Sequence, residues 1–263
     1  MPAYLDAIIA AHRAAAADDG RDPDVLAAQA ESMPAPRRFA DALAAGSAAD
    51  GLAVISEIKR RSPSKGDLDL TIDPPSVAAE YEAGGASCLS VLTDEEFFGG
   101  SADDLCAARA ACSLPVLRKD FTVSANDVCD ARLMGADAVL LIVAALSHAE
   151  LAAFLKLAGH LSLDALVEVH DAEELARALD AGAGLVGVNQ RDLRTFEVDP
   201  GLAVALASTF PPNVVSVAES GIRGAEDAAR LAAAGYDGVL VGESLVRSGD
   251  RRAAVADLVG AGR

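Results

Sequence analysis

One carboxylate and three cationic side chains crowd the stretch Ile55-Ser56-Glu57-Ile58-Lys59-Arg60-Arg61-Ser62-Pro63-Ser64. It follows an apolar run, Leu52-Ala53-Val54-Ile55, as a β-strand does where it leaves a core for a solvated loop. Alternate strand residues share a face, so Glu57 and Lys59 point the same way, roughly 6 to 7 Å apart along it. A carboxylate beside an ammonium can accept and donate protons. Arg60, Arg61, Ser62 and Ser64 add donors suited to a carboxylate or phosphate. The plain alternative is a solvated strand end carrying a surface ion pair, which is worth little.

The rest of the chain makes the lysine harder to dismiss. Net charge is −18, and four lysines (Lys59, Lys65, Lys119, Lys156) stand against eighteen arginines. So acidic a chain is expected not to bind nucleic acid, which needs a basic face. An acidic surface nearly free of lysine also suggests adaptation to high salt. No apolar run is long enough to span a membrane; even Ala138 to Leu146 is too short. The N-terminus lacks a secretory pattern. Cys88, Cys106, Cys112 and Cys129 form no Cys-x-x-Cys pair and read as small buried hydrophobes in a reducing cytoplasm.

From residue 52 onward, eight strand-like runs (52–59, 86–92, 115–119, 138–143, 164–169, 185–189, 214–219 and 238–242) alternate with alanine-rich helical patterns. The expected helices are 75–84, 101–112, 124–134, 147–159, 171–181, 200–209, 224–234 and 250–261. Asp73 before Pro74, Ser101 with Asp104, Ser124 with Asp127, and Ser147 with Glu150 are N-cap patterns. Gly135, Gly182 and Gly235 are placed to end helices. Residues 1–50 read as helices packed on the main unit, with Asp22-Pro23 starting the second and Pro34-Ala35-Pro36 interrupting. Eight strand–helix units in this length predict an α/β fold, a (β/α)8 TIM barrel, spanning 1–263 as one domain with 1–50 as an N-terminal helical extension. An open doubly wound sheet would carry a glycine-rich loop after its first strand; Glu57-Ile58-Lys59-Arg60 is not one.

Barrel chemistry collects at the C-terminal strand ends. Those ends supply Glu57 and Lys59, Thr93, Lys119, Glu168, Asn189, Glu219 with Ser220, and Gly242. Glu219-Ser220-Gly221-Ile222 and Gly242-Glu243-Ser244-Leu245 follow the last two strands. Glycines there let backbone N–H groups approach an anion, with the Glu243 side chain turned away.

These residues resemble the indole-3-glycerol-phosphate synthase family of tryptophan biosynthesis. The resemblance rests on the Glu57–Ser64 stretch, Ser90-Val91-Leu92-Thr93-Asp94, Phe98-Gly99-Gly100-Ser101, Leu117-Arg118-Lys119-Asp120-Phe121 and Leu166-Val167-Glu168-Val169-His170. Gly187-Val188-Asn189-Gln190-Arg191-Asp192-Leu193 and the two glycine-containing turns complete it. It implies conversion of 1-(2-carboxyphenylamino)-1-deoxyribulose 5-phosphate, an anthranilate-derived sugar phosphate, to indole-3-glycerol phosphate, carbon dioxide and water. Neither cofactor nor metal is implied. The resemblance makes Lys119 the general acid, assisted by Lys59, and gives Glu168 and Glu57 the proton traffic of dehydration. Asn189, Glu219 and Ser220 would orient the substrate. Arg191 and Ser62 would meet the anthranilate carboxylate, and Gly221, Gly242, Glu243 and Ser244 the phosphate. Arg61 stands where relatives commonly carry lysine. Phe121 would hold the aromatic ring.

Closing an indole ring needs a proton or strong hydrogen bond on a carbonyl oxygen. A second lysine or apolar walls would lower a lysine pKa toward that use. Which lysine acts at which step is not decided by the sequence. An imine-forming aldolase and a silent phosphate-binding barrel are the competing readings. A monomer or weak oligomer is expected. His12, His148, His160 and His170 show no metal spacing and read as surface or helix-end residues, and Asp18-Asp19, Glu95-Glu96 and Glu173-Glu174 as solvated faces. Lys65, in the flexible-looking Ser64-Lys65-Gly66-Asp67, reads either as a closing residue over a ligand or as a plain surface lysine.

Overall fold

The computed structural model describes residues 4–263. Eight parallel strands close into a barrel: β1 (Ala53–Ile58), β2 (Cys88–Leu92), β3 (Val116–Lys119), β4 (Ala138–Ile142), β5 (Asp164–Val169), β6 (Leu185–Asn189), β7 (Val215–Glu219) and β8 (Gly238–Val241). β1 closes the ring against β8, with Ala53 opposite Gly238 and Ser56 opposite Val241. The (β/α)8 expectation therefore holds, and every strand falls within its predicted run.

Alternation along these strands sorts the residues into two cores. Ala53, Ile55, Cys88, Leu117, Ala138, Leu140, Leu166, Leu185, Val217 and Leu240 fill the barrel interior. Val54, Leu89, Val116, Val139, Val167, Val186, Ala218 and Val239 face the helices. This parity continues to the strand ends. Glu57, Lys59, Lys119, Glu168, Asn189 and Glu219 all occupy inward positions of the two-residue period.

Three helices precede the barrel: α1 (Tyr4–Asp18), α2 (Pro23–Glu31) and α3 (Phe39–Asp50). Nine follow or join its strands: α4 (Pro74–Ala83), α5 (Ala102–Ala110), α6 (Ala125–Leu133), α7 (His148–His160), α8 (Ala172–Asp180), α9 (Leu202–Leu206), α10 (Ala225–Ala234), α11 (Glu243–Val246) and α12 (Arg251–Gly260). The caps form as their residue types require. Asp73 accepts from Ser76 N, and Ser124/Asp127 and Ser147/Glu150 make reciprocal boxes. At Ser101 only half a box forms, because the Asp104 carboxylate is taken by Arg60. The predicted helix 200–209 is a five-residue α9 and a 3-10 turn over Ala207–Thr209. Pro211-Pro212 follows at once, and the residue before a proline is pushed out of helical geometry. The Ser64–Asp67 segment, flexible by composition, is a small hairpin pairing Arg61–Ser62 with Gly66–Asp67, with Gly66 at φ +67.

The N-terminal helices wrap the barrel from mouth to base. Leu5 and Ile8 of α1 close over the C-terminal mouth, α2 packs along α6, and Phe39 and Leu43 of α3 seal the lower end. Arg13 of α1 anchors the roof by a two-pronged bond to Glu150 (2.7 and 3.1 Å) and by Ala145 O (3.0 Å). Below, Asp137 is fully buried and accepts from Arg37 N (2.7 Å), Val116 N (2.9 Å) and Arg109 Nη2 (2.8 Å). Asp137→Ala is expected to cost about 3 kcal/mol in urea unfolding, because it strands those donors. Of the cysteines, Cys88 and Cys129 are buried as expected, Cys112 is half-buried, and Cys106 is exposed.

Candidate active site

The inward strand ends surround a cavity of about 810 Å³, within the range of small-molecule sites. The residues given catalytic or substrate-binding roles from the sequence all line it except Arg61, while Thr93 of the strand ends lies outside the lining, bonded to Asp120. The Arg61 guanidinium folds back over Gly99 and donates to the carbonyls of Glu95 and Glu96, outside the cavity lining. Arg60 is likewise spent on Asp104. Lys65 reaches the rim, 3.7 Å from Glu243.

At the floor, Lys119 Nζ donates to Glu168 Oε2 at 2.5 Å and Glu219 Oε2 at 3.0 Å. Asn189 Nδ2 donates to the other Glu168 oxygen at 3.0 Å, and Asn189 Oδ1 receives Arg191 N at 3.0 Å. Lys59 and Glu57 form a second ion pair at the same floor. Two glycines make the space. A Cβ on Gly187 would overlap Glu219 Oε1, and one on Gly242 would overlap Glu57 Oε1. Gly187 within β6 and Gly242 just after β8 each give up a side chain for a carboxylate from the neighbouring strand. Gly187→Ala is therefore expected to keep the fold and displace Glu219, lowering turnover about 10²-fold against an unchanged circular dichroism spectrum.

The electrostatics correct one expectation. Burial opposes the Lys119 charge, but Glu168, Glu219 and Glu57 overcome it and raise its pKa instead of lowering it. The controlling neighbours are carboxylates, not a second lysine. The two buried glutamates split. Burial works against Glu168 ionisation, yet Lys119 and His170 hold its pKa below the usual range. Burial and the nearby Glu168 charge raise that of Glu219 despite Lys119.

Glycine and serine shape the anion end. Ser220 and Gly221 adopt φ +63 and +73, and the Ser220 carbonyl is held by Gln190 Nε2 at 2.8 Å. Ser244 Oγ donates to Ile222 O at 3.1 Å, tying the seventh and eighth loops together. Glu243 lines the cavity but its carboxylate lies 3.7 Å from Lys65 and 3.9 Å from Arg247, so cations neutralise it. Arg223 and Arg247 also line this end and were not singled out from the sequence.

The roof was also missed. Tyr4, Leu5 and Ile8 of α1 join Phe98, Phe121 and Leu193 as an apolar wall, with Phe98 and Phe121 centroids 6.3 Å apart. The sequence placed helices of residues 1–50 on the main unit but not what they cover. His12 Nε2 pairs with Asp94 at 2.9 Å, and its ring lies 5.3 Å from Phe121. Burial opposes its charge, but Asp94 and Asp120 raise its pKa. His12, Asp94 and Asp120 bring ligand-type atoms within 4.8 Å of one another. Asp120 already accepts from Thr93, from Arg118 Nη2 (3.0 Å) and from Phe121 N (2.8 Å), so a guanidinium supplies the positive charge a metal would. The cluster is a latch for α1. His148 and His160 are exposed and paired with acids, as expected, whereas His12 and His170 are not surface residues. Asp19 and Glu174 are not simply solvated either: Asp19 holds Arg21 and Asn126, and Glu174 holds His170.

A closed barrel whose mouth gathers two lysines, three glutamates and an asparagine under an apolar roof defines an enzyme of the acid–base barrel class. A family model described as indole-3-glycerol phosphate synthase matches residues 5–258. The chain belongs to the indole-3-glycerol phosphate synthase family. It is 54% identical over 235 residues to the indole-3-glycerol phosphate synthase of Mycolicibacterium gilvum, covering 89% of this chain and 85% of that one. It is 52% identical to that of Mycolicibacterium vanbaalenii over 98% of this chain and 94% of the relative. Indole-3-glycerol phosphate synthase 1 of Streptomyces coelicolor is 53% identical over 81% and 79%. Among solved structures, a thiamine phosphate pyrophosphorylase from Pyrococcus furiosus superimposes with TM-score 0.61 at 18% identity, covering 81% of this chain and 96% of its own. That likeness concerns the barrel alone.

Proposed function

We propose that this cavity closes the indole ring of 1-(2-carboxyphenylamino)-1-deoxyribulose 5-phosphate, releasing carbon dioxide and water to give indole-3-glycerol phosphate, a carboxy-lyase step of tryptophan biosynthesis. The observation that carries the site reading is the buried Lys119 ammonium, bonded to Glu168 and Glu219 where a ligand enters.

The apolar wall under α1 takes the aromatic ring, and the loops after β7 and β8 take the phosphate, with Arg223, Arg247 and Lys65 adding positive charge. Arg191 and Ser62 meet the anthranilate carboxylate. Attack by the ring carbon on the carbonyl places negative charge on oxygen. Lys119, held charged by its carboxylates, offers that oxygen a proton in a dry site, where such a donor acts most strongly. Loss of carbon dioxide removes the substrate carboxylate. Departure of the new hydroxyl as water then needs an acid and a base: Lys59 donates, and Glu168 accepts the ring proton and returns it to Lys119, while Glu57 relays one proton from solvent to Lys59. Asn189 fixes the accepting carboxylate, and Glu219 and Ser220 orient the substrate.

An imine mechanism requires a neutral amine, and the carboxylates around Lys119 favour its ammonium. Indole fluorescence on mixing protein with the carboxyphenylamino substrate tests the proposal. Silence at every salt concentration, or a borohydride-trapped ketose phosphate adduct, overturns it.

The chain is further proposed to act in the cytoplasm, as a monomer or weak oligomer, adapted to high salt. Among the described residues no helix is long and apolar enough to cross a membrane, and the large exposed hydrophobics (Val25, Leu70 and Val204) are scattered. Carboxylate repulsion at −18 predicts a lower melting temperature in 10 mM than in 1 M sodium chloride. An unchanged melting temperature removes the salt proposal.

A further inference from the structure

His170 follows β5 two residues after Glu168 and so shares its inward side. Its ring is clamped from behind by Glu174, in the first turn of α8. One Glu174 oxygen receives both His170 N (2.8 Å) and ring Nδ1 (3.0 Å). The ring's far nitrogen, Nε2, is sealed from solvent and lies 3.4 Å from Glu168 Oε1, the oxygen that also accepts from Asn189.

An ionised carboxylate only accepts hydrogen bonds, so the nitrogen facing Glu174 carries hydrogen. In a neutral ring Nε2 would then point a lone pair at Glu168. The form that satisfies both neighbours is the imidazolium. The other charges around it agree. Asp192, in the loop after β6, is held below its usual pKa first by backbone donors and also by His170, and Lys119 sits beyond Glu168. Burial opposes the charge, but Glu168 and Glu174 raise the His170 pKa to about 10.

We propose that His170 is a positioning residue: a cation fixed by Glu174 that sets the orientation and the charge of Glu168 from the side opposite Lys119. It borders a second hollow beyond the barrel mouth, outside the main cavity lining, so it acts through Glu168 and not on substrate. The inference rests on the role given to Glu168 above.

The test uses His170→Gln, whose amide places a neutral donor near the Nε2 position, together with His170→Ala. In histidine-labelled protein, ¹⁵N NMR at pH 8 is expected to show an imidazole protonated on both nitrogens whose signal is lost in His170→Gln. For His170→Ala, kcat is expected to fall about tenfold with KM within about twofold, the loss typical of a misplaced catalytic group. His170→Gln is expected to recover most of kcat at its plateau. In both variants the acid limb of the pH profile should move up by about one unit, because the Glu168–Glu219 pair takes up protons more easily without the cation. A neutral ring at pH 8, or an unmoved limb with unchanged kcat, overturns the proposal. If Glu168→Gln is inactive while both His170 variants behave as the parent, only this inference fails. If Glu168→Gln is fully active, the role of Glu168 fails and positioning falls with it, although the NMR signal still reports the charge.

Discussion

Lys119→Ala leaves the barrel folded and lowers turnover by about 10²–10⁴-fold, equivalent to about 3–5 kcal/mol of lost transition-state stabilisation. The magnitude follows from where the ammonium sits. It is buried, it bridges Glu168 and Glu219, and it is the cation at the centre of the cavity floor. Removal also leaves two glutamates facing each other in a dry site. They resolve the conflict by sharing a proton, so the fold survives, and Glu219 titrates at higher pH than in the parent. Lys119→Arg separates two explanations. Arginine keeps the positive charge but does not release a proton at accessible pH. Recovery of turnover in Lys119→Arg would show that the charge alone serves. Near-normal turnover in Lys119→Ala would show that the acid is elsewhere. Steady-state kinetics with thermal melts as the folding control decides between these outcomes.

Glu168→Gln is expected to lose activity on the same scale, about 10²–10⁴-fold, by removing the acceptor while keeping the side-chain shape. Its pH dependence carries a sign that can be checked. Lys119 and His170 keep Glu168 ionised well below neutrality, so Glu168 does not set an acid limb near pH 7. Glu219, raised by burial and by the Glu168 charge, does. Replacing Glu168 with a neutral amide removes part of that upward push, so the limb moves to lower pH in the residual activity. Stability follows linkage in opposite directions for the two groups. The depressed Glu168 contributes stability present above its unfolded pKa and lost as pH falls through its folded one. The raised Glu219 contributes stability present below its unfolded pKa and lost as pH rises through its folded one. An acid limb that moves upward in Glu168→Gln would mean the two carboxylates have been assigned the wrong way round.

Gly187 shows how closely this floor is built. Its carbonyl and amide belong to β6, but its missing side chain belongs functionally to Glu219 of β7. A glycine in the middle of a strand weakens it, and here the strand is still buried throughout. The same exchange at Gly242 for Glu57 suggests a general device for placing carboxylates inside a crowded barrel.

Much of this was legible in the chain before any coordinates. Short β-branched runs recur at regular spacing, and the helices between them open on caps at Asp73, Ser124 and Ser147 whose hydrogen bonds reach only a few residues. Eight such units in parallel order have the barrel as their natural closure. Parity then puts Glu57, Lys59, Lys119, Glu168, Asn189 and Glu219 on the inside, because the side-chain period of a strand is two wherever it lies. What depended on contacts across the molecule was not legible. Arg61 was lost to the carbonyls of Glu95 and Glu96, thirty-odd positions away. The roof came from Tyr4, Leu5 and Ile8, whose apolar face says that it is covered but not by what. Lys119 gained a higher pKa because its nearest charges came from β5 and β7. His170 changed from a helix-end residue to a buried cation for the same reason. A local pattern is written by neighbours in sequence, whereas the charge state and orientation of a buried group are set by whatever the closed ring brings within a few ångströms.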